Sequence, residues 1–219
     1  MNYSVSAPKK VAPAADPGAL TRAALLEAGR RVFARNGFAA ASVRRITSEA
    51  GVNLGAITYH FGSKRGLYEA VLEAGLRPLL HRVRETAERP GTALDRMVSV
   101  VGAYFEHLAA NPELPQLLLQ EIAAGHPPPE VVVEIVGEMQ RTIAALHSAG
   151  VAEGSVRDGN PALMALSVAS QPVHLTLVAP MMRPVAGIDL SNPSDRRAVV
   201  DHVSDFVRRG LRLRSEELT

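Results

Sequence analysis

Helical periodicity recurs along almost the whole chain, and it constrains the fold more than any other feature. Apolar residues return at three- and four-residue spacing, whereas β-branched residues rarely alternate with polar ones. Asn111-Pro112, Asn160-Pro161 and Asn192-Pro193 mark three helix starts, because Asn caps a helix and proline fits its first position without losing a hydrogen bond. The pattern predicts an all-α fold.

Nine helical segments follow from this periodicity and from the turn residues between them. Ser42 is expected to cap a short helix that Gly51 ends, Asn53 to cap the next one, and Ser63 to cap a longer one. The predicted helices span 21–36, 43–50, 54–61, 64–88, 92–110, 112–124, 129–149, 161–181 and 193–213. We divide the chain into a disordered tail (1–18), a helix-turn-helix domain (19–66) and a C-terminal helical domain (67–219).

Composition narrows the classes of protein to which the chain can belong. It has no cysteine, which excludes disulfides and thiolate chemistry and suits the reducing cytoplasm, where we expect the protein to act. We find no apolar run near the roughly 18 residues of a membrane span, so no membrane partner is expected. The first 90 residues carry 14 Lys and Arg against 7 Asp and Glu, and the remainder 10 against 15. This asymmetry indicates that one end faces a polyanion.

The segment 42–64, SVRRITSEAGVNLGAITYHFGSK, is the most informative part of the sequence. Two short helices joined by a Gly51-Val52-Asn53 turn fit a helix-turn-helix. Its second helix is expected to bury Ile57 and Phe61. The outward set, small or hydrogen-bonding groups suited to a DNA major groove, comprises Gly55, Ala56, Thr58, Tyr59 and His60.

These residues fit a longer pattern that begins in the first helix and ends in the fourth. The matching positions are Phe33, Gly37-Phe38, Ser42, Ile46, Ala50-Gly51-Val52, Tyr59-His60-Phe61, Gly62-Ser63-Lys64 and Leu67-Tyr68. The segment from about 20 to 70 resembles the DNA-binding domain of the tetracycline-repressor (TetR) family. Leu54 departs from the pattern, since many relatives have a polar or charged group there.

The resemblance implies roles for individual residues. Ser42 is similar to a phosphate-contacting hydroxyl, Arg44 to a side chain that reaches base edges, and Lys64 to a phosphate ligand at the start of the fourth helix. Without the resemblance, the default interpretation of Arg44 and Arg45 is a solvated helix face, and His60 is open to an alternative position packed on the domain edge. The expected DNA-binding set is Ser42, Arg44, Arg45, Asn53, Gly55, Ala56, Thr58, Tyr59, His60 and Lys64.

The C-terminal part carries no comparable motif, and the resemblance implies that it binds a ligand and forms a dimer. The segments 161–181 and 193–213 are the candidate dimerisation helices, because the first is apolar on nearly all sides. Filling an intrachain core is the alternative role. Polar groups embedded in apolar helices are the candidate ligand contacts, or else satisfied core and surface groups: Tyr104, His107, Gln120, Gln171 and His174.

These observations favour a homodimeric repressor that leaves palindromic operator DNA when a small-molecule effector binds. One alternative is a constitutive DNA-binding dimer whose C-terminal part is purely structural. A helical enzyme is the other alternative, disfavoured because no catalytic grouping or Gly-rich phosphate loop stands out. The seven histidines show no metal-ligand spacing, so neither a metal nor another cofactor is expected.

Overall fold

The computed structural model describes residues 16–213, and within this range all regular secondary structure is helical apart from an isolated bridge between Val156 and Arg212. The all-α prediction is confirmed. The helices in this range are α1 (Pro17–Ala40), α2 (Val43–Ala50), α3 (Ala56–Phe61), α4 (Lys64–Ala87), α5 (Ala93–Ala110), α6 (Glu113–Ala123), α7 (Glu130–Ala152), α8 (Pro161–Ala186) and α9 (Pro193–Leu211).

Most predicted helix starts are confirmed by their caps. Ser42, Ser63, Asn160 and Asn192 each accept a backbone N–H of the first turn that follows them. Asn111 is an exception, because its side chain turns back and donates to the carbonyl of His107 in α5. The same Asn-Pro dipeptide therefore ends one helix instead of starting the next.

Two further boundaries differ from the predictions. Asn53 does not cap α3 with its side chain, since the helix begins two residues later than predicted, at Ala56. Helix α1 begins at Pro17, with Asp16 accepting the N–H of Gly18, so residues 16–18 are not part of a disordered tail. The rest of the predicted tail, residues 1–15, lies outside the described residues.

The N-terminal helices form a compact base around aromatic residues. Phe33 of α1 meets the ring of Tyr68 of α4 edge to face at 5.0 Å, and both side chains are buried. Ile46 of α2 and Ile57 of α3 are buried in the same cluster. Helices α2 and α3 are thus held on a rigid support.

The C-terminal helices surround the second half of α4. Helix α4 packs most extensively on α7 and α5, and α5 in turn packs on α8 and α9. Because α4 belongs to both parts of the molecule, it connects the N-terminal base to the C-terminal bundle. The boundary at residues 66/67 in our sequence-based division falls within this helix.

Helix α8 has the length and apolar composition of a membrane span. Only 28% of its most apolar 18-residue stretch is buried within the protomer. The expectation that no apolar segment approaches the length of a membrane span is therefore wrong. Polar but uncharged residues interrupt the apolar ones in this segment, so its length as an apolar helix is not evident from the sequence. Its inner face packs on the bundle, and its outer face leaves large apolar side chains exposed, among them Leu163, Met181 and Val185.

Candidate functional site

A tight turn sets the angle between α2 and α3. Gly51 ends α2 with φ 67°, a left-handed conformation that glycine adopts without strain. The N–H of Val52 then donates to the carbonyl of Thr47 at 3.0 Å, which satisfies one of the free carbonyls at the end of α2. The turn is thus fixed by backbone geometry.

Helix α3 presents a mostly uncharged face to solvent. Tyr59 is 85% exposed, Thr58 and Gly55 are exposed, and His60 is half-buried against the ring of Tyr59 at 4.8 Å. A tyrosine this exposed is unusual, because its ring stays in water and forgoes the favourable free energy that burial would give. The face is consistent with a surface that a partner covers.

Ala56 corrects the predicted outward set. It is only 8% exposed and lies in the core cluster beside Ile57. The physical reason is the late start of α3, which places Ala56 in the first turn with its methyl group towards the base. Ala56 therefore supports α3 from within.

The arginines of α2 differ in how they are paired. The Nε of Arg45 lies 3.4 Å from Oε1 of Glu49, a carboxylate that Arg35 also contacts at 3.0 Å. Arg44 is exposed and has no ion pair among the described residues. Arg44 is thus the more available cation for an external anion, and Ser42 lies exposed at the same end of α2.

Lys64, the predicted phosphate ligand, makes its contacts within the domain. Its Nζ donates to the carbonyls of Phe38 at 2.8 Å and Ala41 at 2.9 Å, with Ala39 at 3.4 Å, and it lies 4.5 Å from the centroid of the Phe38 ring. Its three N–H donors thus face carbonyls at the end of α1. Lys64 ties α1 to α4 within the domain.

The five predicted ligand residues are not brought together. Tyr104 is buried, its hydroxyl lies 3.7 Å from the sulfur of Met139, and burial raises its pKa. The Nε2 of His107 lies 2.7 Å from the carbonyl oxygen of Gly75, and burial lowers the pKa of this histidine. Both side chains are satisfied core groups.

The other three predicted ligand residues lie on different surfaces. Gln120 is exposed on α6, with its amide oxygen close to Gly37 of α1. Gln171 is half-buried on α8, and His174 is exposed on the outer face of the same helix. The five residues are thus divided between the core and separate surfaces, because adjacency along apolar helices does not specify which face each residue occupies.

A cavity of about 320 Å³ lies elsewhere in the C-terminal bundle, bounded by α5, α6, α8 and the start of α9. Sequence reasoning missed it, since its walls come from segments up to 91 residues apart. Its residues are Phe105, Leu108, Ala109, Pro112, Gln116, Thr176, Ala179, Pro180, Asp189, Leu190, Ser191 and Arg196. A mainly apolar wall with a few polar groups is the usual form of a small-molecule site.

The outer faces of α8 and α9 expose large apolar side chains within the protomer. On α8 they recur at helical spacing, and on α9 Phe206 is similarly exposed. We call this the outer apolar face: Leu163, Leu166, Met181, Val185 and Phe206. Exposed apolar surface of this kind marks an interaction site.

Comparisons with known proteins agree with this geometry. The profile "Bacterial regulatory proteins, tetR family" matches residues 25–71, and "Tetracyclin repressor-like, C-terminal domain" matches residues 90–207. The HTH-type transcriptional repressor SCO4008 of Streptomyces coelicolor is 31% identical over 173 residues, covering 78% of this chain and 84% of that protein.

Solved structures show the same fold. The ketosteroid transcriptional regulator KstR2 of Mycobacterium tuberculosis aligns with a TM-score of 0.70 at 22% identity, covering 88% of this chain and 95% of that one. FadR of Bacillus subtilis, in complex with stearoyl-CoA, aligns with a TM-score of 0.69 at 18% identity, covering 86% and 98%. From the helix-turn-helix, the C-terminal bundle and these matches together, the chain belongs to the TetR family of bacterial transcriptional regulators.

Proposed function

We propose that this protein is a homodimeric repressor that binds a palindromic operator through α3 and leaves it when a small molecule occupies the C-terminal bundle. The observation that carries the proposal is the exposed, uncharged face of α3, where Thr58 and Tyr59 project into solvent, together with Arg44 of α2, which has no ion pair within residues 16–213. Hydroxyl, aromatic and guanidinium groups read base edges and contact sugars and phosphates.

The outer apolar face supports dimerisation through α8 and α9. A palindromic operator needs two recognition helices about 34–36 Å apart, which a two-fold dimer supplies. Packing α8 and α9 against their copies would make a four-helix bundle and cover Leu163, Leu166 and Phe206. The apolar composition of α8 is then explained by a protein interface.

The cavity supports regulation by a ligand, as does the stearoyl-CoA complex of FadR, a protein of the same fold. Pro112 and Gln116 line the cavity at α6. The same helix contacts the N-terminal base, since the Tyr68 hydroxyl donates to the carbonyl of Leu117 at 3.2 Å and Arg30 pairs with Glu113. A ligand that moves α6 would therefore shift α1 and α4, and with them α3.

Fluorescence anisotropy on the intergenic DNA beside the protein's own gene, over 50–200 mM salt, tests the DNA half of the proposal. We expect tighter binding to the palindrome than to a scrambled duplex, and affinity that falls steeply with salt. Arg44→Gln should lower operator affinity about tenfold or more. Arg141→Gln is the matched control, because Arg141 is an exposed arginine on α7, away from α3.

Two results would count against the proposal. Equal affinity for operator and scrambled DNA would show that the protein does not recognise a sequence. Equal losses of operator affinity in the two arginine variants would show that Arg44 of α2 has no specific role in binding.

A thermal-shift screen of small metabolites on the same protein tests regulation. Compounds that raise the melting temperature and release DNA support a repressor with an effector, whereas operator binding that no compound alters supports the constitutive dimer.

A further inference from the structure

One side of the cavity carries charged residues from the loop after α8 and the first turn of α9. Asp189 and Arg196 are the two ionisable groups among its residues. The rest of the wall is mainly apolar, with Phe105, Leu108 and Pro180 among its larger side chains. Whichever of these two charged groups is free to pair with a ligand therefore determines whether the cavity favours a cation or an anion.

The carboxylate of Asp189 is already engaged within its own loop. Its Oδ1 accepts the hydroxyl of Ser191 at 2.6 Å and the backbone N–H of the same residue at 2.9 Å. Arg183 lies 3.6 Å from Oδ2. The two hydrogen bonds from Ser191, and then the charge of Arg183, lower the pKa of Asp189. This carboxylate shapes the loop, because Ser191 fills its Oδ1 and the charge of Arg183 offsets its own.

Arg196 is in the opposite situation. Its side chain is half-buried, and among the described residues it takes part in no ion pair and no side-chain hydrogen bond. The two other acidic groups nearby have partners, because Asp195 accepts the N–H of Asp189 at 2.9 Å and Glu106 pairs with Arg82 at 3.1 Å. A half-buried guanidinium with five unused donors beside an apolar cavity is arranged to receive an anion.

We propose that the cavity binds a small organic anion with an apolar body, its acidic head group held by Arg196 and its body packed against Phe105, Leu108 and Pro180. The inference deepens the proposed function, on which it rests, by naming the class of effector. A volume of about 320 Å³ lies at the lower end of ligand pockets, which are typically about 300–1,000 Å³, so the ligand is compact.

The test uses three probes that share an eight-carbon chain and differ in the head group: octanoate, octan-1-ol and octyltrimethylammonium. Isothermal titration calorimetry of the full-length protein gives the affinity for each one. We expect octanoate to bind most tightly of the three. Arg196→Gln should weaken octanoate about tenfold or more, since a charge-assisted hydrogen bond is lost, and should change the affinity for octan-1-ol less than twofold.

Arg197→Gln is the matched control, because Arg197 is the next residue, is exposed and does not line the cavity. It removes the same charge and should leave octanoate affinity within twofold. Ala109→Leu adds bulk at the cavity wall and should weaken octanoate and octan-1-ol alike. Circular dichroism and the melting temperature of each variant establish that it is folded.

Several results would overturn the inference. They are tighter binding of octyltrimethylammonium than of octanoate, equal octanoate losses in the two arginine variants, or no octanoate binding by the folded protein. Operator binding and dimer mass are measured on the same preparations without a probe. Failure of the anion proposal with intact operator binding thus leaves the regulator in place, whereas loss of operator binding contradicts the proposed function itself.

Discussion

Gly66 lies in the first turn of α4, where the end of α3 approaches more closely than a larger residue allows. A Cβ at position 66 would lie 3.3 Å from the carbonyl carbon of Phe61 and would overlap its oxygen. The obstacle is backbone, so no side chain can rotate away from it. Gly66→Ala should therefore cost about 3 kcal/mol by overpacking, offset by about 1 kcal/mol of improved helix propensity.

The net loss of about 2 kcal/mol corresponds to a melting temperature lower by roughly 4–8 °C for a chain of this size. Because Phe61 ends α3, the variant should also lose operator affinity at temperatures where it remains folded. Thermal unfolding at a fixed protein concentration and anisotropy on operator DNA measure the two effects. Gly102→Ala, a helical site with no atom within 4 Å of the added Cβ, should be neutral or slightly stabilising. Equal behaviour of the two variants would refute the reasoning.

Two further substitutions separate roles that the structure assigns. Lys64→Met should lower the melting temperature, because it leaves the carbonyls of Phe38 and Ala41 without a donor and costs about 1–3 kcal/mol of unfolding free energy. An unchanged melting temperature, with the salt dependence of operator affinity reduced by about one in slope, would instead identify Lys64 as a phosphate ligand. His107 is held neutral by burial, with its pKa lowered from 6.5, so its contribution to stability is present above pH 6.5 and is lost as the pH falls through the lowered value. His107→Asn should flatten the decline of the melting temperature between pH 7.5 and 5, and a decline as steep as that of the wild type would show that other groups cause it.

Local sequence signals predicted the helices well, because caps and turns depend on neighbouring residues. Asn160 and Asn192 cap as predicted, and Gly51 ends α2 as predicted. Asn111 has the same local sequence, yet its amide reaches the His107 carbonyl in the preceding helix. A dipeptide signal cannot distinguish these outcomes, since both satisfy a free helix end.

Side-chain roles were less predictable, because they depend on contacts between distant segments. Lys64 carries the charge and position of a phosphate ligand, but the carbonyls of Phe38 and Ala41, over 20 residues earlier, surround its ammonium group. Arg44 and Arg45 are adjacent in sequence, and although the four-residue spacing from Arg45 to Glu49 is a local signal, Arg35 of α1 shares the same carboxylate. The cavity beside Arg196 has no sequence signature at all, since helix packing creates it.

The contacts between α6 and the N-terminal base have the energies that a switch requires. In the ion pairs of Arg30 with Glu113 and of Arg65 with Glu121, each arginine is more than a third exposed although Glu121 is buried, so solvent screening leaves each pair about 0–1 kcal/mol. The hydrogen bond from Tyr68 to Leu117 adds about 1 kcal/mol. Together these contacts reach the range of about 1–3 kcal/mol that is typical of coupling between two sites. A much stronger interface would hold the base in one position regardless of the ligand, and a much weaker one would transmit nothing from the cavity to α3.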